Sequence, residues 1–131
     1  MASKYRSGLE KRVASWMVDL GGSYETHRLP YVIPKKYTPD FTFEAERVHV
    51  EIKGWFRPGD RQKYKAINEA MVEQGWHFVF ILQNPNKPVS KGAKSSMADW
   101  CDKHYITWFS ENDASGFELH LDYLTYLEEQ T

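Results

Sequence analysis

Two carboxylates and a lysine stand at a spacing that could do chemistry. Asp40 lies in the string Thr38-Pro39-Asp40-Phe41, and Glu51 and Lys53 lie in Val50-Glu51-Ile52-Lys53-Gly54. Strand residues alternate faces, so Glu51 and Lys53 share one face while Val50 and Ile52 share the other. If Ala45 and Glu46 form a two-residue turn, Glu44 pairs with Arg47 and Asp40 falls directly across from Glu51. A four-residue loop keeps that register; a three-residue loop shifts it. Facing carboxylates at a cross-strand Cβ separation of roughly 4.5–5.5 Å repel one another. A hard divalent cation with oxygen ligands would turn that repulsion into a binding site. Asp40 and Glu51 are the natural side-chain ligands, and the backbone carbonyl of Ile52 can add a third oxygen. The same residues also suit a hairpin with a solvated charged face, and the motif alone leaves both readings open.

Phosphodiester hydrolysis requires an activated water, charge relief on the phosphate and stabilisation of the leaving oxygen. Metal ions held by carboxylates can supply all three. The Lys53 ammonium could orient the water or offset charge on the phosphate. Glu10 has two readings. Ser7 and Glu10 fit a capping box, Ser at the N-cap and Glu three residues on. Alternatively, Glu10 is a third carboxylate projected from the helix start into the site. Basic residues flank the motif as candidate phosphate contacts: Lys35 and Lys36 before it, then Arg57, Arg61, Lys63 and Lys65 after it. Lys87, Lys91 and Lys94 form a further basic group. His49 shares the face of Glu51, where it suits a substrate contact or a hydrogen-bonded strand histidine. The other four histidines lack zinc-like spacing.

These residues need elements to hold them. Ser7–Leu20 has helical periodicity, with Leu9, Val13, Trp16, Met17 and Leu20 on one face, and Gly21-Gly22 ends it. Ser23–Leu29 can be extended, and Pro30-Tyr31-Val32-Ile33-Pro34 is a proline-bracketed connector or edge strand. The hairpin of residues 40–53 follows. Asp60 is a candidate cap for a second helix with Tyr64, Ile67 and Met71 on its apolar face, ended by Gly75. Phe78-Val79-Phe80-Ile81-Leu82 suits a buried central strand. A loop over 83–95, a short helix from Ser96 to His104 and a strand from Ile106 to Phe109 come next. Asn112–Gly116 reads as a turn, and the last stretch, with Leu119, Leu121, Leu124 and Leu127, as a terminal helix. The fold class is α/β in the α+β sense, a mixed sheet flanked by helices.

The chain has 131 residues, consistent with one domain over 1–131. No apolar run is long enough for a membrane span, and no signal-peptide pattern opens the chain. The lone Cys101 excludes an intrachain disulfide and fits a reducing cytosol, with a buried inert thiol as its expected role. The net charge of −1 hides an asymmetry: residues 1–110 hold 17 Lys and Arg against 12 Asp and Glu, whereas 111–131 hold six acids and no Lys or Arg. The basic body favours a polyanionic partner, and residues 111–131 form an acidic C-terminal extension.

The Pro-Asp…Glu-x-Lys pattern resembles the signature of the PD-(D/E)XK nuclease superfamily. A longer string narrows the resemblance. Arg6-Ser7-Gly8-Leu9-Glu10, Pro30-Tyr31-Val32-Ile33-Pro34, Tyr37-Thr38-Pro39-Asp40-Phe41 and Glu51-Ile52-Lys53-Gly54 together resemble the bacteriophage endonuclease I family of Holliday-junction-resolving enzymes. Asp60-Arg61, Lys91-Gly92 and Trp100-Cys101-Asp102-Lys103-His104 continue the likeness, which covers roughly residues 5–110.

The resemblance implies a restriction-endonuclease-like core and a magnesium-dependent endonuclease, with Mn2+ able to substitute. It implies resolution of four-way and other branched DNA junctions by paired cleavage, in the host bacterial cytoplasm. Catalytic roles would fall to Glu10, Asp40, Glu51 and Lys53. It also implies a domain-swapped homodimer, with Glu10 from one subunit and Asp40, Glu51 and Lys53 from the other. The chain departs from the family pattern in two places: the connector Lys35-Lys36-Tyr37 is short, and the C-terminus is acidic where a basic tail is expected. Two other activities fit the same residues: a superfamily nuclease acting on linear or damaged duplex, and a non-catalytic DNA-binding module. Intact Asp40, Glu51 and Lys53 argue against the last.

Overall fold

The structure is a computed structural model that describes residues 4–27, 29–31 and 35–131, with the backbone alone described for residues 29–31 and 35. Residues 32–34 of the expected connector, and the Lys35 side chain, lie outside the described residues. The described chain is α+β: four helices and a mixed five-stranded sheet, with a separate two-stranded ribbon.

Helix α1 (Gly8–Met17) begins where Ser7 Oγ accepts from Glu10 N at 3.0 Å. Val13 and Met17 are buried, and Leu9, Trp16 and Leu20 pack beside them. Gly21, at φ 102°, then turns the chain through a conformation that only glycine adopts readily. Strand β1 (Ser23–Tyr24) pairs antiparallel with β4 (Phe41–Phe43). Between them, β2 (Leu29–Tyr31) and β3 (Lys35–Tyr37) pair as the ribbon. The proline-flanked segment is therefore extended where it is described, as its composition dictates.

β4 pairs antiparallel with β5 (Val48–Lys53) in the anticipated register: Phe41 opposite Val50, Thr42 opposite His49, Phe43 opposite Val48. The turn spans residues 44–47, closed by Arg47 N donating to Glu44 O at 3.2 Å. The ladder stops one residue short of an Asp40–Glu51 pair. Asp40 N instead donates to Val50 O at 2.9 Å, and the Asp40 carboxylate caps the amide of Ile52. Asp40 thus ends the strand rather than extending it.

Helix α2 (Asp60–Glu73) crosses from β5 to β6 (His77–Leu82), and α3 (Met97–Lys103) crosses from β6 to β7 (Thr107–Ser110). β6 is parallel to both neighbours, and the sheet order is β1-β4-β5-β6-β7. The continuous apolar run over 78–82 is the central strand it resembles, buried on both faces. Asp60 is not the cap of α2. Gly59 holds the N-cap position with no side-chain bond, and Asp60, one residue into the helix, turns back to the Arg57 amide at 2.9 Å. α3 has the full capping box, Ser96 with Asp99. The expected turn over 112–116 is shorter than its composition suggests. Asp113 accepts from Gly116 N, so α4 (Ala114–Glu129) starts inside it.

Two apolar clusters sandwich the sheet. α2 and α3 cover Phe78, Phe80 and Leu82. α1 and α4 cover Val48, Val50, Val79 and Ile81, with Phe117, Leu121 and Leu124 contributed by α4. Cys101, on the inner face of α3, is fully buried, and burial pushes its thiol up to about 12, fitting an inert role. Among the described residues, no helix is long and apolar enough to cross a membrane.

Candidate active site

The open end of the β4–β5 ladder forms one side of a cleft of about 570 Å³. β4 ends at Phe41 while β5 runs on to Lys53, so the last turn of β5 has a neighbour only on the β6 side. Gln83 N bonds the Lys53 carbonyl from that side, at 3.0 Å. The amide of Ile52 points the opposite way, to Asp40 Oδ2 at 2.8 Å. A strand residue directs its N–H and C=O to the same edge, so the Ile52 carbonyl is turned toward the cleft it lines.

Asp40, Glu51 and Lys53 all line this cleft, and Glu10 joins them from the first turn of α1. Asp40 is 3% exposed and Glu51 8%. Burial, reinforced by the Glu51 charge, pushes the Asp40 carboxyl up to about 9. Burial also raises Glu51, against hydrogen bonds from two tyrosines. Tyr37 Oη donates to Glu51 Oε1 at 2.6 Å and Tyr64 Oη to Oε2 at 3.1 Å. Burial holds both phenols well above their ordinary range, so they remain neutral donors. Lys53 Nζ is 3.3 Å from Asp60 Oδ2 and 4.9 Å from the Tyr64 ring centroid. The lysine is thereby anchored to the start of α2 rather than to the carboxylate pair.

Glu10 separates its two readings. Its amide is capped by Ser7, but its carboxylate does not return the bond to Ser7 N as a capping box requires. Oε1 accepts instead from Arg6 N at 2.6 Å and from Tyr24 Oη at 3.1 Å. That turns the group into the cleft, where its charge helps to raise Asp40.

The basic candidates divide. Lys36, Arg57 and Lys63 line the cleft. Lys63 lies over the rings of Tyr64 and Tyr37, 5.1 and 5.9 Å from their centroids. Arg61 and Lys65 each follow a buried residue, Asp60 and Tyr64, by one helical step of about 100°; both are exposed and neither lines the cleft. His49 is the hydrogen-bonded strand histidine. It is buried, with Nδ1 2.8 Å from Thr42 Oγ1, its ring stacks on Trp76 at 4.2 Å, and burial depresses it to about 4.

Several lining residues were given no role from the sequence. Tyr64 read as apolar and Tyr37 only as part of a family-like string; a buried carboxylate's need for donors is the clue that could have found them. Arg6 is 3.8 Å from Asp40 Oδ1 and ion-pairs with Glu25. Glu25 also lines the cleft, and its amide donates to the Asp40 carbonyl at 2.9 Å. It adopts φ 46°, uncommon for a residue with a side chain. No short pattern around Glu25 announces this.

Among the described residues, no three His, Cys, Asp or Glu side chains form a ready ligand cluster. The oxygen donors that converge are Asp40, Glu51 and the Ile52 carbonyl, an open set with room for water and a phosphate oxygen. That donor set fits magnesium, which keeps several waters and takes one or two carboxylates.

The floor of the cleft is acidic and its rim basic, as an enzyme acting on phosphate esters requires. A family model described as phage endonuclease I matches residues 1–112. The chain is 36% identical over 107 residues to Endodeoxyribonuclease 1 of Enterobacteria phage T3, covering 78% of this chain and 68% of that protein. It is 36% identical over 107 residues to Endonuclease I of Escherichia phage T7, covering 78% of this chain and 70% of that protein. The protein is thus a nuclease. It belongs to the phage endonuclease I family.

Proposed function

We propose that the protein is a metal-dependent DNA endonuclease that resolves four-way and other branched junctions as a homodimer, by paired phosphodiester hydrolysis. The observation that carries this reading is the pair of buried, mutually repelling carboxylates at an open strand end, with a lysine beside them. Such a pair is costly unless a cation or proton relieves it. The printed name of the phage T3 relative adds DNA as the substrate.

Asp40, Glu51 and the Ile52 carbonyl would hold Mg2+, with Mn2+ able to replace it. The ion supplies an activated water and charge relief on the phosphate. Tyr37 and Tyr64 fix the Glu51 carboxylate through both oxygens, leaving lone pairs free. Asp60 fixes Lys53, whose ammonium faces the scissile phosphate or the attacking water. Glu10, held by Arg6 N and Tyr24, can accept a hydrogen bond from that water. Lys36, Arg57 and Lys63 at the rim bind flanking phosphates, with Arg61 and Lys65 as outer contacts. A domain swap exchanges identical elements between subunits. The partner's Glu10 would then occupy the place this chain's own Glu10 holds, and the chemistry would be unchanged.

The test is a labelled four-way junction and a matched linear duplex, each incubated with magnesium and with chelator. Magnesium-dependent paired nicks confined to the junction are expected. Equal cutting of both substrates would make the enzyme a duplex nuclease. A mobility shift without cleavage in any metal would reduce it to a binding module.

A further inference from the structure

Trp55 follows the catalytic strand by two residues and is 51% exposed, whereas its neighbour Phe56 is buried. The chain splits these two aromatics deliberately. Phe56 packs edge-on against Phe80 and Trp100, with ring centroids 5.9 and 5.2 Å away, which pins the turn to the core. Gly54 precedes the two aromatics, with the end of the Gln83 side chain 2.9 Å from where a Cβ would stand. The indole is therefore held outward on a fixed support. It lines a depression of about 290 Å³ together with Phe56, Lys87, Pro88, Val89 and Lys91.

The far wall of that depression is a built loop. Lys87 N bonds Asn84 O, Met97 N bonds Lys87 O at 2.8 Å, and Val89 N bonds Ser95 O. Its lining has two lysines and no acid. On the near side, the Arg57 guanidinium lies 5.5 Å from the Trp55 ring centroid, and Arg57 also lines the catalytic cleft. An aromatic plate, flanked by cations and joined to the cleft through Arg57, matches the chemistry of an unstacked nucleotide: a π-face to stack and phosphates to neutralise.

We propose that this depression is a nucleotide subsite. Trp55 stacks on a base face left unstacked at the branch point, next to the scissile phosphate, while Lys87 and Lys91 hold the phosphates on either side of it. This deepens the proposed function and rests on it. The subsite would make the enzyme favour DNA whose base stacking is interrupted beside the cut, because a fully stacked duplex offers no free base face.

The test uses full-length Glu51→Gln protein, which should bind without cutting, and junctions carrying 5-iododeoxyuridine at each of the first few positions around the branch. After irradiation, cross-linked peptides are mapped by mass spectrometry. A cross-link on Trp55 from one or two adjacent positions is expected. Adding Trp55→Ala should abolish it and weaken junction binding about 5–100-fold, the range for loss of one stacked base. Trp55→Phe, which keeps an aromatic face, should retain most of the affinity. Lys87→Ala with Lys91→Ala should flatten the salt dependence of binding. Stable junction complexes with no cross-link at Trp55 from any position, or Trp55→Ala affinity within twofold of the parent, would overturn the subsite and leave the nuclease reading standing. No complex with any DNA would overturn both.

Discussion

One face of β5 carries Val48, Val50 and Ile52; the other carries His49, Glu51 and Lys53. The first face packs into the cluster under α1 and α4. The second lies beneath α2, where neighbouring β6 presents only Phe78, Phe80 and Leu82. Burial of the two β5 faces is nearly the same, yet their chemistry is opposite. An apolar face gains about 25 cal/mol per Å² hidden from water. A polar face gains nothing comparable and must find a partner for every group. Each group has one: Thr42 for His49, Tyr37 and Tyr64 for Glu51, Asp60 for Lys53. The difference teaches that the polar face is kept for its chemistry, while the apolar face holds the sheet.

The sharpest way to break this comparison is to neutralise the polar face. Asp40→Asn or Glu51→Gln should drop cleavage by at least about 10³-fold, beyond the loss of a single electrostatic donor, while junction binding survives. Near-normal single-turnover rates in saturating DNA would remove Asp40 and Glu51 from the chemistry. The reverse change on the apolar side should do the opposite. Ile81→Ala should cost about 2–5 kcal/mol of stability, measured by denaturant unfolding, and leave the rate per folded molecule unchanged.

A smaller effect concerns pH. A carboxyl whose value is raised by folding stabilises the fold while protonated. For Asp40 that contribution is complete below about 4, the unfolded value, and is lost as pH rises through about 9. With chelator present, the melting temperature should therefore fall between pH 7 and pH 9, above the range in which the depressed His49 adds the opposite slope, and Asp40→Asn should flatten it. A flat profile in the unsubstituted protein would show that neither burial nor the Glu51 charge raises Asp40. Smallest of all, Tyr64→Phe removes one donor from Glu51. It should lower the cleavage rate about tenfold, as loss of a ligand-orienting hydrogen bond does, with about 1 kcal/mol change in stability. A matching loss from Ile67→Ala, which lies on α2 without touching Glu51, would instead trace the effect to helix packing.

What the sequence disclosed follows the same division. The hairpin register was legible because alternation and a fixed pair sum leave little freedom once the turn is placed. The run over 78–82 and the Tyr64, Ile67, Met71 face were legible because apolar periodicity records burial directly. Glu10 was ambiguous because the Ser-x-x-Glu spacing states where the acid lies and not where its carboxylate turns. Asp60 read as a cap for the same reason, although its side chain serves Arg57 N and Lys53. Tyr64 went unnoticed as a donor because a tyrosine on an apolar face announces its ring, not its hydroxyl, and Tyr37 because a family-like string marks the residue without its hydrogen bond. Arg6 stands in such a string too, yet its place beside Asp40, like that of Glu25, comes from tertiary placement.

β4 is three residues long and β5 six, so half of the catalytic strand lacks a neighbour on one edge. Three more paired residues in β4 would complete that ladder, engage the Ile52 carbonyl in a routine backbone bond and close the cleft. Reactivity here depends on where a strand stops as much as on which side chains it bears. A change in strand length at that end would alter the site as directly as a substitution of Glu51 or Lys53, because Asp40 is itself the residue at which β4 stops.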